Sequence, residues 1–344
     1  MSLLPRPPPA AMPLAALLQG PLRDRHGRVK RKLRVSLTDR CNFRCPYCIP
    51  EGGDFLGRGE QLSRAELQRL LRLFVAELGI GSLRLTGGEP LLRRDLEAVV
   101  AECGELRALG LERISLTTNA ALLARRAAGL GAAGLDDLNI SLDALSPPAF
   151  AALSGGRALQ PVLDGIAAAA AAGLPLKLNT VVVRGLNEDE ILPLARWAMR
   201  QGHDLRFIEF MPLDGRHEWS RQRVVSGAEI LQRLRQEFSL AELPRGSDPA
   251  AYYSAGGGRR IGIISTISNP FCASCDRLRL TADGKLYTCL FAAQGLSLRE
   301  PLRASADDRE LAALIRDAVW HKDAGYAVRP GYAERPIAMN ALGG

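Results

Sequence analysis

The 344-residue chain has no apolar run near the ~18 residues that a membrane-crossing helix needs. Its longest bland stretch, 167–172, is rich in alanine, which forms helix but is far too short to span a bilayer. Aromatic residues make up only 5% of the sequence. Binding to nucleic acid wants aromatic platforms beside clustered basic residues. The basic residues here are scattered apart from Arg28, Lys30, Arg31 and Lys32, so a net charge of +8 does not by itself imply a nucleic-acid partner. A positive pocket for a small polyanion, such as a triphosphate, explains the charge equally well. A secretory signal is also missing: Arg6 stands alone, and Pro13 interrupts the short apolar piece 12–18. Residues 1–24, proline-rich and poor in charge, are expected to be a disordered leader.

What the chain has is cysteine in clusters. Six of its seven cysteines form two triplets, Cys41, Cys45, Cys48 and Cys272, Cys275, Cys289. Cys103 is left over and is expected to be a buried small apolar residue. Secreted disulfide proteins spread their cysteines over a short chain, whereas two compact triplets in a long one indicate metal sites in a reducing cytoplasm. The first triplet has the spacing C-x3-C-x2-C. A closed zinc site would need a fourth Cys or His nearby, and the nearest histidine is His26, upstream. Three thiolates on a four-iron cluster would instead leave one iron open to a substrate or cofactor.

The hydrophobic content of 47% and charged content of 24% are those of an ordinary globular protein, long enough for one large and one smaller domain. Short apolar strands are expected at 33–38, 82–86, 113–117, 137–142, 176–183 and 204–210. Helical patterns alternate with them, with caps at Ser63/Glu66, Asn187/Glu190 and Ser226/Glu229. Six strand–helix units imply a parallel sheet with right-handed crossovers, two units short of a closed barrel. The expected fold class is therefore α/β: an open, partial β/α barrel over 25–238, with a smaller C-terminal α+β domain, 239–344, over its open face. In that domain short strands are expected at 260–265, 277–281 and 285–288, with Asp283-Gly284 as a hairpin turn. A helix is expected at 307–320.

In such a sheet, ligands gather at the carboxyl ends of the strands. There the sequence places the first cysteine loop, then Gly87-Gly88-Glu89-Pro90, Thr117-Thr118-Asn119, Ser141 with Asp143, Lys177 with Asn179, and Glu209 with Met211. Each is an ordinary turn or cap on its own; their joint placement is what points to a site. The second triplet leads into Asp276, Arg277 and Arg279. Arg277 and Arg279 share one face of a strand, either as solvated charges or as a fork for phosphate or a purine edge. A zinc ribbon would have to borrow His321, far along the chain.

The first triplet and its flanks, Arg34, Thr38, Asp39, Arg40 and Asn42, resemble the radical S-adenosylmethionine (SAM) enzymes. Together with the C-x2-C-D-R-x-R motif, Cys289 and the Gly343-Gly344 end, the chain resembles one family among them, the GTP 3′,8-cyclases of molybdenum cofactor biosynthesis. The resemblance runs from about residue 24 to the end. Ile49 departs from the methionine frequent there and touches no ligand position.

The resemblance implies two 4Fe-4S clusters, one on each triplet, with SAM on the first and the GTP base at the second. It implies SAM contacts at Tyr47, Gly88, Ser141 and Met211. It implies GTP contacts at Arg34, Arg84, Thr117, Lys177, Arg277, Leu278 and Arg279, and a Gly343-Gly344 tail that reaches the site. The implied reaction takes hydrogen from C3′ of GTP and joins that carbon to C8, giving 3′,8-cyclo-7,8-dihydro-GTP. Implied partners are an electron donor such as flavodoxin or ferredoxin and, functionally, cyclic pyranopterin monophosphate synthase, in the cytoplasm, with a homodimer as a candidate assembly and no nucleic acid or membrane. Two rival readings stand: a radical SAM enzyme with an auxiliary cluster acting on a peptide, and a non-enzymatic iron–sulfur carrier or nucleic-acid binder.

Overall fold

The computed structural model describes residues 20–49, 55–57, 59–213, 219–244, 246, 248–326 and 338–343. The leader expected over residues 1–24 thus falls largely outside the described residues. Its centre is six parallel strands in chain order: β1 (Lys32–Ser36), β2 (Ser82–Thr86), β3 (Arg113–Thr118), β4 (Asp137–Ser141), β5 (Leu176–Val182) and β6 (Asp204–Glu209). Between them run α1 (Arg64–Ala76), α2 (Leu96–Glu105), α3 (Ala127–Ala132), α4 (Pro147–Ser154), α5 (Gln160–Ala171) and α6 (Ile191–Gln201), and α7 (Gly227–Leu234) follows β6.

The later strands join the same sheet at both edges. β7 (Ala241–Glu242), β8 (Ala251–Ser254) and β9 (Arg260–Ile264) extend it beyond β6. β10 (Arg277–Leu280), β11 (Lys285–Tyr287) and β12 (Leu296–Ser297) extend it beyond β1. β7 and β12 are its two edges, so the sheet is mostly parallel and is not closed into a barrel. The remaining helices are α8 (Arg299–Arg303), α9 (Asp308–Trp320) and α10 (Met339–Leu342). No helix among the described residues is long and apolar enough to cross a membrane.

The strands alternate, although most belong to a parallel array. One face carries Leu33, Val35, Leu83, Leu85, Ile114, Leu116, Leu138, Ile140 and Leu178, all fully buried against the helices. Burying each such side chain contributes about 1.5–3 kcal/mol. The other face carries Arg34, Arg84, Ser115, Thr117, Asn139, Lys177, Asn179 and Arg206. A parallel sheet covered on both sides would be apolar throughout; a polar second face marks the lining of a cavity.

Local sequence sets the helix starts. Ser63 with Glu66, Ser226 with Glu229, and Asp307 with Glu310 each form reciprocal capping boxes. The expected Asn187/Glu190 cap does not form. Asn187 accepts from Val183 N at 2.8 Å and donates to Val181 O and Asp143 O, both at 2.8 Å. Glu190 accepts from Leu145 N at 2.8 Å. Both side chains are consumed bracing loops, so the turn opens as a 3-10 segment, Glu188–Glu190. The short strands β7, β8 and β12 were also not expected. They lie in turn-rich sequence and form by antiparallel pairing at the sheet edges: β8 on β9, β7 on β8, and β12 on β11.

Candidate functional site

The first cysteine loop leaves the carboxyl end of β1 and is fastened to the loop after β2. Gly88 N donates to Thr38 O at 2.7 Å, and Glu89 N donates to Arg40 O at 2.8 Å. A Cβ at Gly88 would lie 2.3 Å from Arg40 O, and one at Gly87, where φ is +149°, would lie 2.4 Å from Thr38 O. Only glycine permits this approach. Glu89 is fully buried and accepts from Leu91 N (2.9 Å), Thr118 Oγ1 (2.7 Å) and Asn119 N (2.7 Å). Burial pushes its carboxyl up to about 7 despite these donors. Asn119 ties the assembly together, donating to Asn42 Oδ1 at 2.8 Å and toward Cys41 Sγ at 3.8 Å.

All seven cysteines are free thiols. Burial raises Cys41 to about 11 and pushes Cys45 and Cys48 well up. Such thiols ionise readily only when a metal replaces the proton. Phe43 N also points at Cys41 Sγ, at 3.4 Å, as donors do toward a ligating thiolate. Among the described residues no three His, Cys, Asp or Glu side chains converge on one point as a single metal ion would require. The donor set, three thiols on one half-buried loop with two amide donors directed at Cys41, fits an iron–sulfur cluster. Beside it, Tyr47 donates its hydroxyl to Asp143 Oδ2, and Val181 N donates to Asp143 Oδ1 at 2.8 Å. Burial lifts the Asp143 carboxyl to about 6, against both of those donors.

The polar face beneath this rim carries cations in register. Arg34 of β1 lies between Arg279 of β10 and Arg84 of β2. Thr117 pairs with Asn139, Asn139 with Lys177, and Asn179 with Arg206. Arg34, Arg84 and Lys177 make no ion pair or hydrogen bond among the described residues. Burial, together with mutual repulsion, holds Arg34 well below the usual guanidinium range, with Arg279, Arg84, Arg277 and Arg206 all contributing. Burial and Arg206 bring Arg84 down to about 10. Burial is the largest cause of the lowering at Lys177 as well. Asn139 Nδ2 is a buried donor without a partner among the described residues. A polyanion with polar edges is what these groups lack.

The second triplet lies at the other end of β1. β10 runs parallel to β1 with Arg277 opposite Lys32, so Cys275 sits at the amino end of the pair while Cys41 follows its carboxyl end. The five residues of β1 separate the two loops, about 13–17 Å at ~3.3 Å per residue. Arg34 and Arg279 lie midway. Arg277 stacks over the Phe271 ring at 4.8 Å. At Cys275 burial opposes ionisation, but Lys322, Arg277 and Lys30 outweigh it and lower the thiol to about 7. Phe291 N points at Cys289 Sγ at 3.4 Å. This donor set also suits thiolates. Leu278 is fully buried, and its side chain belongs to the core face of β10.

The chain end closes onto the same face. Arg279 donates to Leu342 O and Gly343 O, and Asn340 Nδ2 donates to Asp39 O at 2.9 Å. A Cβ on Gly343 would lie 2.4 Å from Thr86 Cγ2. Gly344 lies outside the described residues. Ser141 and Met211 end β4 and follow β6 at the rim, both half-buried. Glu209 is instead a brace: its carboxylate accepts from Gly227 N (2.7 Å), Ile267 N (2.7 Å) and Ser268 N (2.9 Å).

Two groups on the polar face were missed in the sequence reading, Arg206 and Asn139. Arg206 donates from Nε to Asn179 Oδ1 at 2.8 Å and from Nη2 to Asn139 Oδ1. The signal that could have found it was parity: in D-L-R-F-I-E, Arg206 alternates with apolar neighbours as Arg34 and Arg84 do.

Two family profiles cover most of the chain. The radical SAM superfamily matches residues 35–198, and Molybdenum Cofactor Synthesis C matches residues 203–328. The GTP 3′,8-cyclase of Mycobacterium marinum is 46% identical over 94% of this chain and 92% of its own. That of Streptomyces coelicolor is 46% identical over 93% and 96%. Among solved structures, SuiB of Streptococcus suis bound to S-adenosylmethionine superposes with a TM-score of 0.56 and 15% identity, over 83% of this chain and 68% of its own. SuiB bound to its precursor peptide SuiA matches at 0.51 and 19% identity over 61% of this chain and 46% of its own, so the chain spans about half of that protein. These two likenesses concern the fold alone.

Proposed function

The chain belongs to the GTP 3′,8-cyclase family of radical SAM enzymes, and from that premise we propose that it converts GTP to 3′,8-cyclo-7,8-dihydro-GTP, the first step of molybdenum cofactor biosynthesis. The observation that carries this is the placement of Arg34, Arg84 and Lys177, without ion pairs among the described residues, on one sheet face between two thiol triplets at opposite ends of β1.

When bound at the first triplet, an iron–sulfur cluster supplies the electron that splits SAM into methionine and the 5′-deoxyadenosyl radical. Cys41, Cys45 and Cys48 hold it. Tyr47, fixed by Asp143, with Gly88, Ser141 and Met211, orients SAM at the carboxyl rim. Cys272, Cys275 and Cys289 would hold a second cluster, which would supply a binding position for the guanine. Arg34, Arg84, Lys177 and Arg206 grip the phosphates, with Arg277 and Arg279 on the β10 side and Thr117 and the backbone of Leu278 completing the pocket. Burial and then mutual repulsion depress Arg34, and a triphosphate would offset both by supplying the counter-charge, so binding is favoured by charge already present in the fold. The Arg279 grip on Leu342 and Gly343 carbonyls draws the chain end over the face, and the Gly343-Gly344 tail helps keep water from the radical.

Residues 25–238 supply the SAM half and residues 239–344 the second cluster half. The electron comes from a donor such as flavodoxin or ferredoxin, the product passes to cyclic pyranopterin monophosphate synthase, and the enzyme works in the cytoplasm, with a homodimer as a candidate assembly.

The test is anaerobic. The protein is reconstituted with iron and sulfide, reduced, and given SAM with and without GTP, and 5′-deoxyadenosine and the guanine nucleotide are followed by mass spectrometry. GTP-dependent 5′-deoxyadenosine with an isomer of GTP at unchanged mass is expected. SAM cleavage that leaves GTP untouched would refute the substrate, and turnover on a peptide would favour the rival enzyme.

A further inference from the structure

We propose that Arg28, Lys30 and Lys322 form a buried cationic collar under the second cysteine triplet, which offsets the negative charge of a thiolate-bound iron–sulfur group there and raises its reduction potential. This rests on the second-cluster reading above. Each of the three cations binds the backbone at one cysteine. Arg28 Nη1 donates to Cys272 O at 2.8 Å. Lys30 Nζ donates to Cys275 O at 2.7 Å. Lys322 Nζ donates to the carbonyl of Thr288, the residue before Cys289. Arg28 also holds Asp323 O at 2.7 Å and Ala324 O at 2.5 Å, so it ties the Lys322 segment to the same point.

The charges do not balance internally. Lys30 is 0%, Lys322 3% and Arg28 9% exposed. A single fully buried carboxylate, Asp24, serves both Lys30 and Arg28, each at 2.7 Å. Lys322 makes no ion pair among the described residues. Asp276, beside Cys275, is already matched by Lys32 at 2.9 Å and Arg277 at 4.0 Å. A buried ammonium without a counter-ion is costly. Three thiolates on a cluster supply the missing anion. Around the first triplet the buried ionisable groups are carboxyls instead, Glu89 and Asp143, and no buried cation stands with them among the described residues' hydrogen bonds to that loop. Cations near a cluster favour its reduced, more negative state, and carboxylates disfavour it.

The collar is tested in the full-length reconstituted protein with Lys322→Met, Lys322→Arg and Lys30→Met. Iron and acid-labile sulfide are counted, and a redox titration followed by electron paramagnetic resonance resolves the two clusters. Lys322→Met and Lys30→Met are expected to lower the potential of the second cluster and leave the first unmoved, while Lys322→Arg stays near wild type. Loss of the second cluster in Lys322→Met but not in Lys322→Arg supports the charge requirement equally. A second cluster at wild-type potential in both methionine variants overturns the collar. So does equal loss in Lys322→Met and Lys322→Arg, which makes the role one of shape. Iron for only one cluster in the wild type refutes the second-cluster reading itself, and that count precedes any variant.

Discussion

Replacing Gly88 by alanine adds one methyl group at the seam between the SAM-side loops. The new Cβ meets Arg40 O at 2.3 Å, Arg40 C at 2.6 Å and Asp39 O at 2.6 Å. All three are backbone atoms, so no side chain can swing away and the loops must part. Overpacking of this kind costs about 1–3 kcal/mol. Parting the loops also breaks the bonds from Gly88 N to Thr38 O and from Glu89 N to Arg40 O. At about 0.5–1.5 kcal/mol each, these bring the loss to roughly 2–6 kcal/mol. The comparison is Gly104→Ala. Gly104 lies in α2 with nothing within 4 Å of its Cβ position, so alanine there should stabilise by about 0.5–1 kcal/mol. Urea unfolding of the two variants measures both signs. SAM binding, measured where the Gly88→Ala variant is still folded, should be weakened in that variant alone. A Gly88→Ala protein with wild-type stability and SAM affinity would refute the steric argument.

Three further expectations follow from the site. Cys41→Ser should abolish SAM cleavage, whereas Cys272→Ser should retain SAM binding and lose cyclisation; normal cyclisation by the second variant would remove the role given to its triplet. Arg277→Ala should cost GTP binding about 1.5–3 kcal/mol, roughly 10- to 150-fold in Kd, with SAM affinity little changed. Equal weakening of both ligands in a calorimetric titration would indicate damage to the fold instead. Glu89 is raised to about 7 from an ordinary 4.5, so between those values the folded state keeps a proton the unfolded chain has lost. Its contribution therefore favours the fold at low pH and is lost as pH rises toward 7. The unfolding free energy of wild type minus that of Glu89→Gln should fall by about 2–3 kcal/mol from pH 5 to pH 8, and a flat difference would show that Glu89 is ionised throughout.

Much of this protein was legible in its sequence because the determining patterns are local. Strand alternation, capping boxes at Ser63 and Ser226, and the Asp283-Gly284 turn act over a few residues, and the six central strands appeared within a residue or two of expectation. The cysteine spacings and the Arg277/Arg279 pair named the family by resemblance. Asn187 shows where local reasoning stops: its side chain answered to Asp143 and Val181 across the fold, not to the helix it precedes.

What the sequence determined by itself was which residues carry chemistry: thiols in threes, glycines before Glu89, arginines at alternate strand positions. Where these residues stand relative to one another was set by long-range packing. The parallel pairing of β10 with β1 is a contact between segments more than two hundred residues apart, and no local pattern encodes its direction. That direction puts the two triplets at opposite ends of one strand and sets Arg279 beside Arg34, while Lys322 reaches the second triplet from a segment whose own neighbourhood gave no clue. Side-chain chemistry is written residue by residue; the electric field between the triplets is a sum over the whole fold.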